Sequence, residues 1–107
     1  MLKMIPQFLQ LYDQIRIISP SGPIDPQFID GAKRVLKGWN LKVTEGEFAR
    51  SSYGRFAATK EQRIADLQAA LDDSDVKAIL CSRGGYGVAQ IIYKLDFSKF
   101  RQSPKWL

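Results

Sequence analysis

Residues 76–81, VKAILC, are followed by residues 82–87, SRGGYG, and these two segments together decide the fold. The apolar run predicts a buried strand, and residues 88–93, VAQIIY, predict a short helix. Three glycines and Arg83 therefore lie at a turn between a strand and a helix. In open α/β sheets, ligands bind beyond the carboxyl ends of the strands. Because glycines let backbone N–H groups approach a ligand and a helix N-terminus favours negative charge, the turn predicts a site for an anion or an oxyanion.

The rest of the chain alternates strand and helix in the same way. Strands are predicted at residues 15–18, 41–44 and 76–81, and helices at residues 26–37, 60–71 and 88–93. Asp25 followed by Pro26 is a typical helix start, and Thr59 with Gln62 has the spacing of a capping box. This order predicts an α/β fold, namely a three-layer Rossmann-like or flavodoxin-like domain with a mainly parallel sheet.

The first predicted helix carries an apolar stripe, and Gly38 predicts where that helix ends. The stripe residues recur at helical spacing, so they are expected to share one buried face. They are Phe28, Ile29, Ala32, Val35 and Leu36.

Residues 45–58 connect the second strand to the second helix. The segment is polar and contains glycine, and it is long for a compact α/β unit, which indicates a functional loop. The alternative is a surface loop that is held in place by its aromatic residues, Phe48, Tyr53 and Phe56.

Charge and hydropathy narrow the classes of partner. The chain has 107 residues and a net charge of +5, but its basic residues are spread along the sequence beside acidic ones. Nucleic-acid binding needs Lys and Arg clustered on one face, so no nucleic-acid partner is expected. The apolar runs are all shorter than the roughly 20 residues that cross a bilayer, so no membrane partner is expected.

The absence of histidine and the single cysteine limit the catalytic units and disulfides that this chain can form by itself. The chain has no histidine, which removes the commonest general base and metal ligand. A Ser–His or Cys–His catalytic unit therefore cannot be assembled from this chain alone. The single cysteine, Cys81, excludes an intramolecular disulfide and fits a reducing, cytoplasmic compartment.

The last residues predict a continuation of the sheet. Residues 105–107, KWL, resemble the beginning of a fourth strand. We therefore expect residues 1–107 to be one α/β domain that is truncated before its later strands, as a fragment of a longer protein.

Five segments, in order along the chain, resemble the LD-carboxypeptidase family of serine peptidases. This family includes the muramoyltetrapeptide carboxypeptidases and the microcin C self-immunity proteins. The glycine turn resembles the family signature RGGYG, and the chain end resembles its "pK.li" strand. The matching segments are residues 6–22, 59–71, 78–87, 95–97 and 103–107.

The resemblance implies the N-terminal α/β domain of a two-domain enzyme that cleaves the terminal D-alanine from a murein peptide in peptidoglycan recycling. It implies a cytoplasmic homodimer that uses neither metal nor cofactor. The catalytic serine follows the "pK.li" strand in the family, and its glutamate and histidine partners come from the C-terminal domain. Those positions do not exist in this sequence, so the 107-residue chain is expected to be inactive alone.

The resemblance also assigns candidate site residues. Gly84 and Gly85 match the motif whose backbone N–H helps to form the oxyanion hole, and Gly85 is slightly favoured as the donor. Arg83 is a candidate for binding the substrate carboxylate, with a structural ion pair to Asp72 or Asp75 as the alternative.

Two more substrate-binding candidates lie beside the turn. Tyr86 either lines the pocket or plugs the start of the helix. Ser21 lies at the end of the first strand, and Ser21 and Ser19 are expected to bond the local turn rather than act in the chemistry. Two other functions stay open: a phosphate- or nucleotide-binding module, although SRGGYG has neither the G-x-G-x-x-G nor the P-loop spacing, and an interaction domain that pairs through its last strand.

Overall fold

The computed structural model describes residues 8–84 and 86–107. Three parallel strands form a sheet in the order β2-β1-β3. The strands are β1 (Gln14–Ile18), β2 (Lys42–Glu45) and β3 (Val76–Cys81). The helices are α1 (Pro26–Gly38), α2 (Lys60–Asp72), α3 (Tyr86–Ile91) and α4 (Ser98–Gln102), with a 3₁₀ turn at Ile92–Lys94. Within these described ranges, no helix has the length and apolar character that crossing a membrane requires.

Alternate residues of β1 divide the core into two layers, one on each face of the sheet. Ile18 packs with Leu67 and Leu71 of α2. Ile15 and Ile17 point to the other face, where their clusters contain residues of α1. Since side chains alternate across a strand, helices cover both faces of the sheet, and the three-layer α/β prediction is confirmed.

The chain end adds the beginning of a further strand beside β3. The N–H of Ile79 donates to the carbonyl of Trp106 over 2.7 Å, and the N–H of Trp106 donates to the carbonyl of Lys77 over 3.2 Å. This parallel bridge lies on the edge of β3 away from β1. The resulting order, 2-1-3 followed by the chain end, is the flavodoxin-like order.

Both predicted helix starts are confirmed. A side-chain oxygen of Asp25 accepts the N–H of Gln27 over 3.0 Å, with proline at the next position. Thr59 Oγ1 accepts the N–H of Gln62, and the Gln62 side chain accepts the N–H of Thr59, which completes the capping box. These caps fix where α1 begins after β1 and where α2 begins after the 45–58 loop.

One prediction for α1, the burial of its whole apolar stripe, is wrong. Ile29 and Leu36 are buried, but Phe28 is 65% exposed and Val35 is 53% exposed. The apolar stripe is therefore wider than the strip of helix that contacts the sheet. The predicted helix end is confirmed, because α1 ends at Gly38, and the left-handed residue that follows is Asn40, with φ 60°. Asparagine tolerates this conformation better than most residues with a side chain.

The end of α2 depends on a residue distant in sequence. The last turn of α2 contains no basic residue. Lys105 supplies the cation instead, because its buried Nζ donates to the carbonyls of Ala70 over 2.9 Å and Asp73 over 2.7 Å. A lysine at this end of a helix satisfies carbonyls that have no partner within the helix. Burial lowers the pKa of Lys105.

Candidate functional site

The glycine turn lies at the carboxyl end of β3, as predicted. The N–H of Ser82 still donates to the carbonyl of Ile18 over 2.8 Å, so the turn leaves the sheet directly after β3. Arg83 and Gly84 are exposed. A Cβ placed on Gly84 would meet no described heavy atom within 4 Å. The turn thus presents open space at Gly84, where a ligand can approach the backbone.

Two of the predicted site residues are described in part or not at all. Gly85 lies outside the described residues. Tyr86 is the first residue of α3, and only its backbone is described. The predictions for Gly85 as an oxyanion donor and for the Tyr86 side chain therefore stay predictions.

Ser21 supports the turn from the neighbouring loop. It is 4% exposed, and its Oγ accepts the N–H of Gly87 over 3.1 Å. Its carbonyl accepts the N–H of Ala57 over 2.8 Å. Ser21 therefore joins the loop after β1 both to α3 and to the 45–58 loop. The expected bond to the local turn is wrong, because the Ser21 hydroxyl bonds Gly87, which is 66 residues away in sequence. Its contact with substrate stays a prediction.

Ser19 makes a second connection between these loops. Its Oγ donates to the carbonyl of Ala49 over 2.6 Å and lies 2.7 Å from Ser82 Oγ. These bonds join the ends of β1 and β3 to the loop after β2. Ser19 is buried, so its hydroxyl acts as a structural connection.

Gly87 has to be glycine for a steric reason. A Cβ at this position would lie 2.6 Å from Ser21 Cα, 2.8 Å from Ser21 Oγ and 2.8 Å from Arg63 Nη1. One of these contacts is with backbone, which cannot rotate away. The last glycine of the motif thus allows α3 to begin in close contact with the loop after β1.

Arg63 lies behind the turn and is 3% exposed. Its Nη1 donates to the carbonyls of Pro20 over 3.2 Å and Gly87 over 3.0 Å, and its Nε donates to the carbonyl of Ala58 over 3.1 Å. Its Nη2 donates to the side-chain oxygen of Gln90 over 3.2 Å. Burial lowers the pKa of the guanidinium, although arginine remains charged.

Asp66, one turn further along α2, holds the start of the 45–58 loop. Its two carboxylate oxygens accept the N–H groups of Glu47 over 3.0 Å and Phe48 over 2.8 Å. A Cβ on Gly46 would lie 2.6 Å from Asp66 Oδ2, so glycine gives the carboxylate its space. Burial raises the pKa of Asp66, and the two backbone hydrogen bonds oppose that change.

The far part of the same loop is a tight hairpin. Tyr53 and Phe56 exchange backbone hydrogen bonds of 2.7 and 3.0 Å, and Gly54 occupies the left-handed region with φ 59°. Phe56 packs its ring 4.4 Å from the Arg63 guanidinium carbon, whereas Tyr53 is 64% exposed. The aromatic residues therefore have different roles: Phe56 anchors the loop and Tyr53 is presented to solvent.

Arg83 does not form the predicted ion pair. Its Nη1 donates to the carbonyl of Pro23 over 3.1 Å, and its side chain crosses over Gly22. Asp72 instead accepts a hydrogen bond from Gln68. Among the described residues, Arg83 makes no ion pair with Asp72 or Asp75, so that alternative is wrong, and the side chain bonds the loop after β1 instead.

An apolar pocket of about 280 Å³ lies next to the turn. Its lining includes Ile24, Phe28, Leu80 and Ser82. It opens on the α1 face of the sheet, where Phe28 and Leu80 are exposed. The site thus combines an open backbone turn, an exposed guanidinium and an apolar recess, which suits a ligand with both a carbonyl or anionic group and an apolar part.

Sequence reasoning did not assign roles to Arg63 and Asp66. A signal was present, because both residues occur at helical spacing with Leu67 and Ala70 on the buried face of α2. Charged residues are rarely fully buried unless partners compensate them. Two charged residues on a predicted buried face therefore indicate that each one makes a fixed contact with a neighbouring loop.

Comparison with known proteins gives a consistent result. The sequence pattern described as the LD-carboxypeptidase N-terminal domain matches residues 15–107. The chain is 36% identical over 100 residues to a protein from Bacillus subtilis named probable murein peptide carboxypeptidase. The match covers 94% of this chain and 31% of that protein, so the chain spans about a third of the length of this relative.

Solved structures share the fold over nearly the same residues. An MccF-like protein from Bacillus anthracis superposes with a TM-score of 0.84 and 31% identity, over 94% of this chain and 31% of the other. The muramoyltetrapeptide carboxypeptidase from Oxalobacter formigenes superposes with a TM-score of 0.74 and 33% identity. That superposition covers 86% of this chain and 31% of the other.

Proposed function

Because the chain belongs to the LD-carboxypeptidase family, we propose that it is the N-terminal α/β part of a serine carboxypeptidase acting on murein tetrapeptides. The observation that carries the proposal is the glycine turn at the carboxyl end of β3, which is exposed at Gly84 and braced from behind by Ser21 and Arg63. This is the place in an open α/β sheet where a reacting group is bound.

The proposed reaction is hydrolysis of the amide bond to the terminal D-alanine. A serine hydroxyl from the remainder of the enzyme attacks the carbonyl carbon, and its proton passes to a histidine and then to the departing amine. Water then releases the acyl group from the serine. Negative charge develops on the carbonyl oxygen during the attack, and a fixed backbone N–H there contributes about 3 kcal/mol.

Within this chain, the oxyanion donor is proposed to be the N–H of Gly85, with that of Gly84 as the alternative. A glycine side chain leaves the approach to the backbone open, as the free space at Gly84 supports. The turn has to hold this N–H in place before the substrate arrives, because preorganised donors give the largest effect.

Arg83 is proposed to bind the free carboxylate that every carboxypeptidase substrate carries. Its side chain is exposed beside the turn, and one of its five N–H groups reaches Pro23. A guanidinium binds a carboxylate through two parallel hydrogen bonds, which also orients the substrate. Tyr86 and Ser21 complete the proposed substrate-binding set. The dimer and the cytoplasmic location implied by the family likewise stay predictions.

A chimera tests the proposal. Residues 15–107 replace the matching segment of the Bacillus subtilis relative, and release of D-alanine from a murein tetrapeptide is measured. We expect release by the chimera and none by the 107-residue chain alone. Arg83→Met in the chimera should raise KM about tenfold with a smaller effect on kcat, since the lost contact binds the substrate in the ground state as well as in the transition state. A folded chimera that releases no D-alanine contradicts the proposal.

The same chimera tests a second substrate class. The MccF-like neighbour is as similar to this chain as the muramoyltetrapeptide carboxypeptidase is, at 31% against 33% identity. A microcin C-type peptide is therefore assayed beside the murein tetrapeptide. Faster cleavage of the microcin peptide would move the assignment to self-immunity while leaving the serine peptidase chemistry unchanged.

A further inference from the structure

Arg63 is a buried cation that has no carboxylate among its described hydrogen-bond partners. Its four acceptors are the carbonyl oxygens of three loop or helix-start residues and one amide oxygen. Burying a charge without an opposite charge is costly unless hydrogen bonds satisfy it. The role of such a residue lies in the acceptors that it satisfies, because an apolar side chain of similar size would fill the space but donate to none of them.

The contacts of Arg63 converge on the glycine turn. A single nitrogen, Nη1, bonds both the carbonyl of Pro20 in the loop after β1 and the carbonyl of Gly87 at the start of α3. The N–H of the same Gly87 is held by Ser21 Oγ. Both polar backbone groups of Gly87 are therefore fixed, one by α2 and the other by the loop after β1.

The remaining contacts fix Arg63 itself. Its Nε is held by the carbonyl of Ala58, and the Phe56 ring lies against the guanidinium at 4.4 Å. Phe56 in turn belongs to the hairpin of the 45–58 loop. The guanidinium plane thus cannot turn without disturbing that loop.

We propose that Arg63 is a positioning residue of the peptidase site, which sets the glycine turn against the loop after β1 and so holds the oxyanion donor in its reactive place. The inference rests on the proposed function. Lysine cannot replace arginine here, since the acceptors are divided among three guanidinium nitrogens and the ammonium donors of lysine all lie on one nitrogen. Small displacements of a positioned donor reduce turnover steeply.

The test uses the chimera with Arg63→Lys and a matched control, Arg16→Lys. Arg16 is also a partly buried arginine with several partners, namely Thr44, Gln14 and Asp73, but these lie on β2, at the start of β1 and at the end of α2, away from the turn. We expect Arg63→Lys to lower kcat on the order of 100-fold with KM changed less than about threefold, and Arg16→Lys to leave both nearly unchanged.

The outcomes distinguish a failure of the positioning role from a failure of the proposed function. Equal effects of the two substitutions on kcat would overturn the positioning role, as would a rise in KM at unchanged kcat. An inactive unsubstituted chimera would overturn the proposed function, and the inference with it.

Phe56→Leu is the milder second variant if Arg63→Lys does not fold. It removes the ring beneath the guanidinium but no hydrogen-bond acceptor, so we expect kcat to fall about threefold. Unchanged kcat in this folded variant would also overturn the inference.

Discussion

Arg63 and Arg50 are two arginines of one domain in opposite surroundings. Arg63 is buried and bonds only uncharged oxygens among its described partners. Arg50 is exposed and bonds two carboxylates, with Nε 2.6 Å from Glu45 and Nη2 2.6 Å from Asp30. By charge alone, Arg50 has the stronger partners.

Burial reverses that ranking. Exposed ion pairs contribute little to stability, because water and salt screen both charges. Removing a buried cation instead leaves several buried carbonyl oxygens without this donor, and burial makes their unsatisfied hydrogen bonding costly. The scaffold beneath the glycine turn therefore depends on Arg63 and its neighbours, whereas the Arg50 ion pairs join α1 to β2 at the surface.

The largest expected effect is at Gly87, which packs against Arg63 and Ser21. Gly87→Ala should destabilise the chain by about 3 kcal/mol, because the added Cβ would lie 2.6 Å from the backbone of Ser21. Urea unfolding followed by circular dichroism measures the change. Gly84→Ala is the control within the same turn, and its Cβ has open space. Similar losses for the two alanines would contradict the close packing at Gly87.

The next largest effect distinguishes the two arginines. Arg63→Met should destabilise the chain by about 2 kcal/mol, because methionine fills part of the space but satisfies none of the acceptors. Arg50→Met should shift the unfolding midpoint only slightly, since its partners regain hydration. Thermal unfolding of both variants checks the ranking. A larger loss for Arg50→Met would reverse the comparison.

The sequence was sufficient for the fold because each of its signals is local. The strand–helix alternation, the Asp25 cap and the Thr59 capping box depend on residues within a few positions of each other. The place of the glycine turn follows from the same alternation. The exposed positions of α1 were missed because helical spacing shows which residues share a face, not how far the sheet covers that face.

The scaffold of the site was not predictable in the same way. Arg63 meets Pro20 and Gly87 across 43 and 24 residues of sequence, and Lys105 meets Ala70 across 35. These bonds go to backbone oxygens, which every residue has, so no pattern of partner side chains indicates them. The sequence indicates only a charged residue on a buried helix face, and the fold is needed to find what it bonds.

Lys105 is a third cation for this comparison, and like Arg63 it is buried. Lys105→Met should destabilise the chain by about 1 kcal/mol, because the carbonyls of Ala70 and Asp73 lose a donor at the end of α2. Lys77→Met is the matched control, since Lys77 donates to one carbonyl at an exposed site. Equal unfolding midpoints for the two variants would show that burial of the lysine does not matter.

The smallest effect is a dependence of stability on pH, and it comes from the ion pair between Arg50 and Glu45. The hydrogen bond from Arg50, above all, lowers the pKa of Glu45 from 4.5 to about 2, with Lys33 helping and burial opposing. A carboxyl whose pKa is lowered by folding stabilises the folded state above its unfolded pKa, and this contribution is lost as the pH falls from about 4.5 towards 2.

The stability difference between the original chain and Glu45→Gln should therefore shrink between about pH 6 and pH 3 in urea unfolding. The loss caused by Arg63→Met should change less over that range, because the oxygens that bind Arg63 do not titrate and the Glu61 carboxylate acts on it only through its charge. A pH-independent difference for Glu45→Gln would contradict the ion pairing, and a loss for Arg63→Met that depends on pH as strongly as that difference would show that a carboxylate compensates this buried cation.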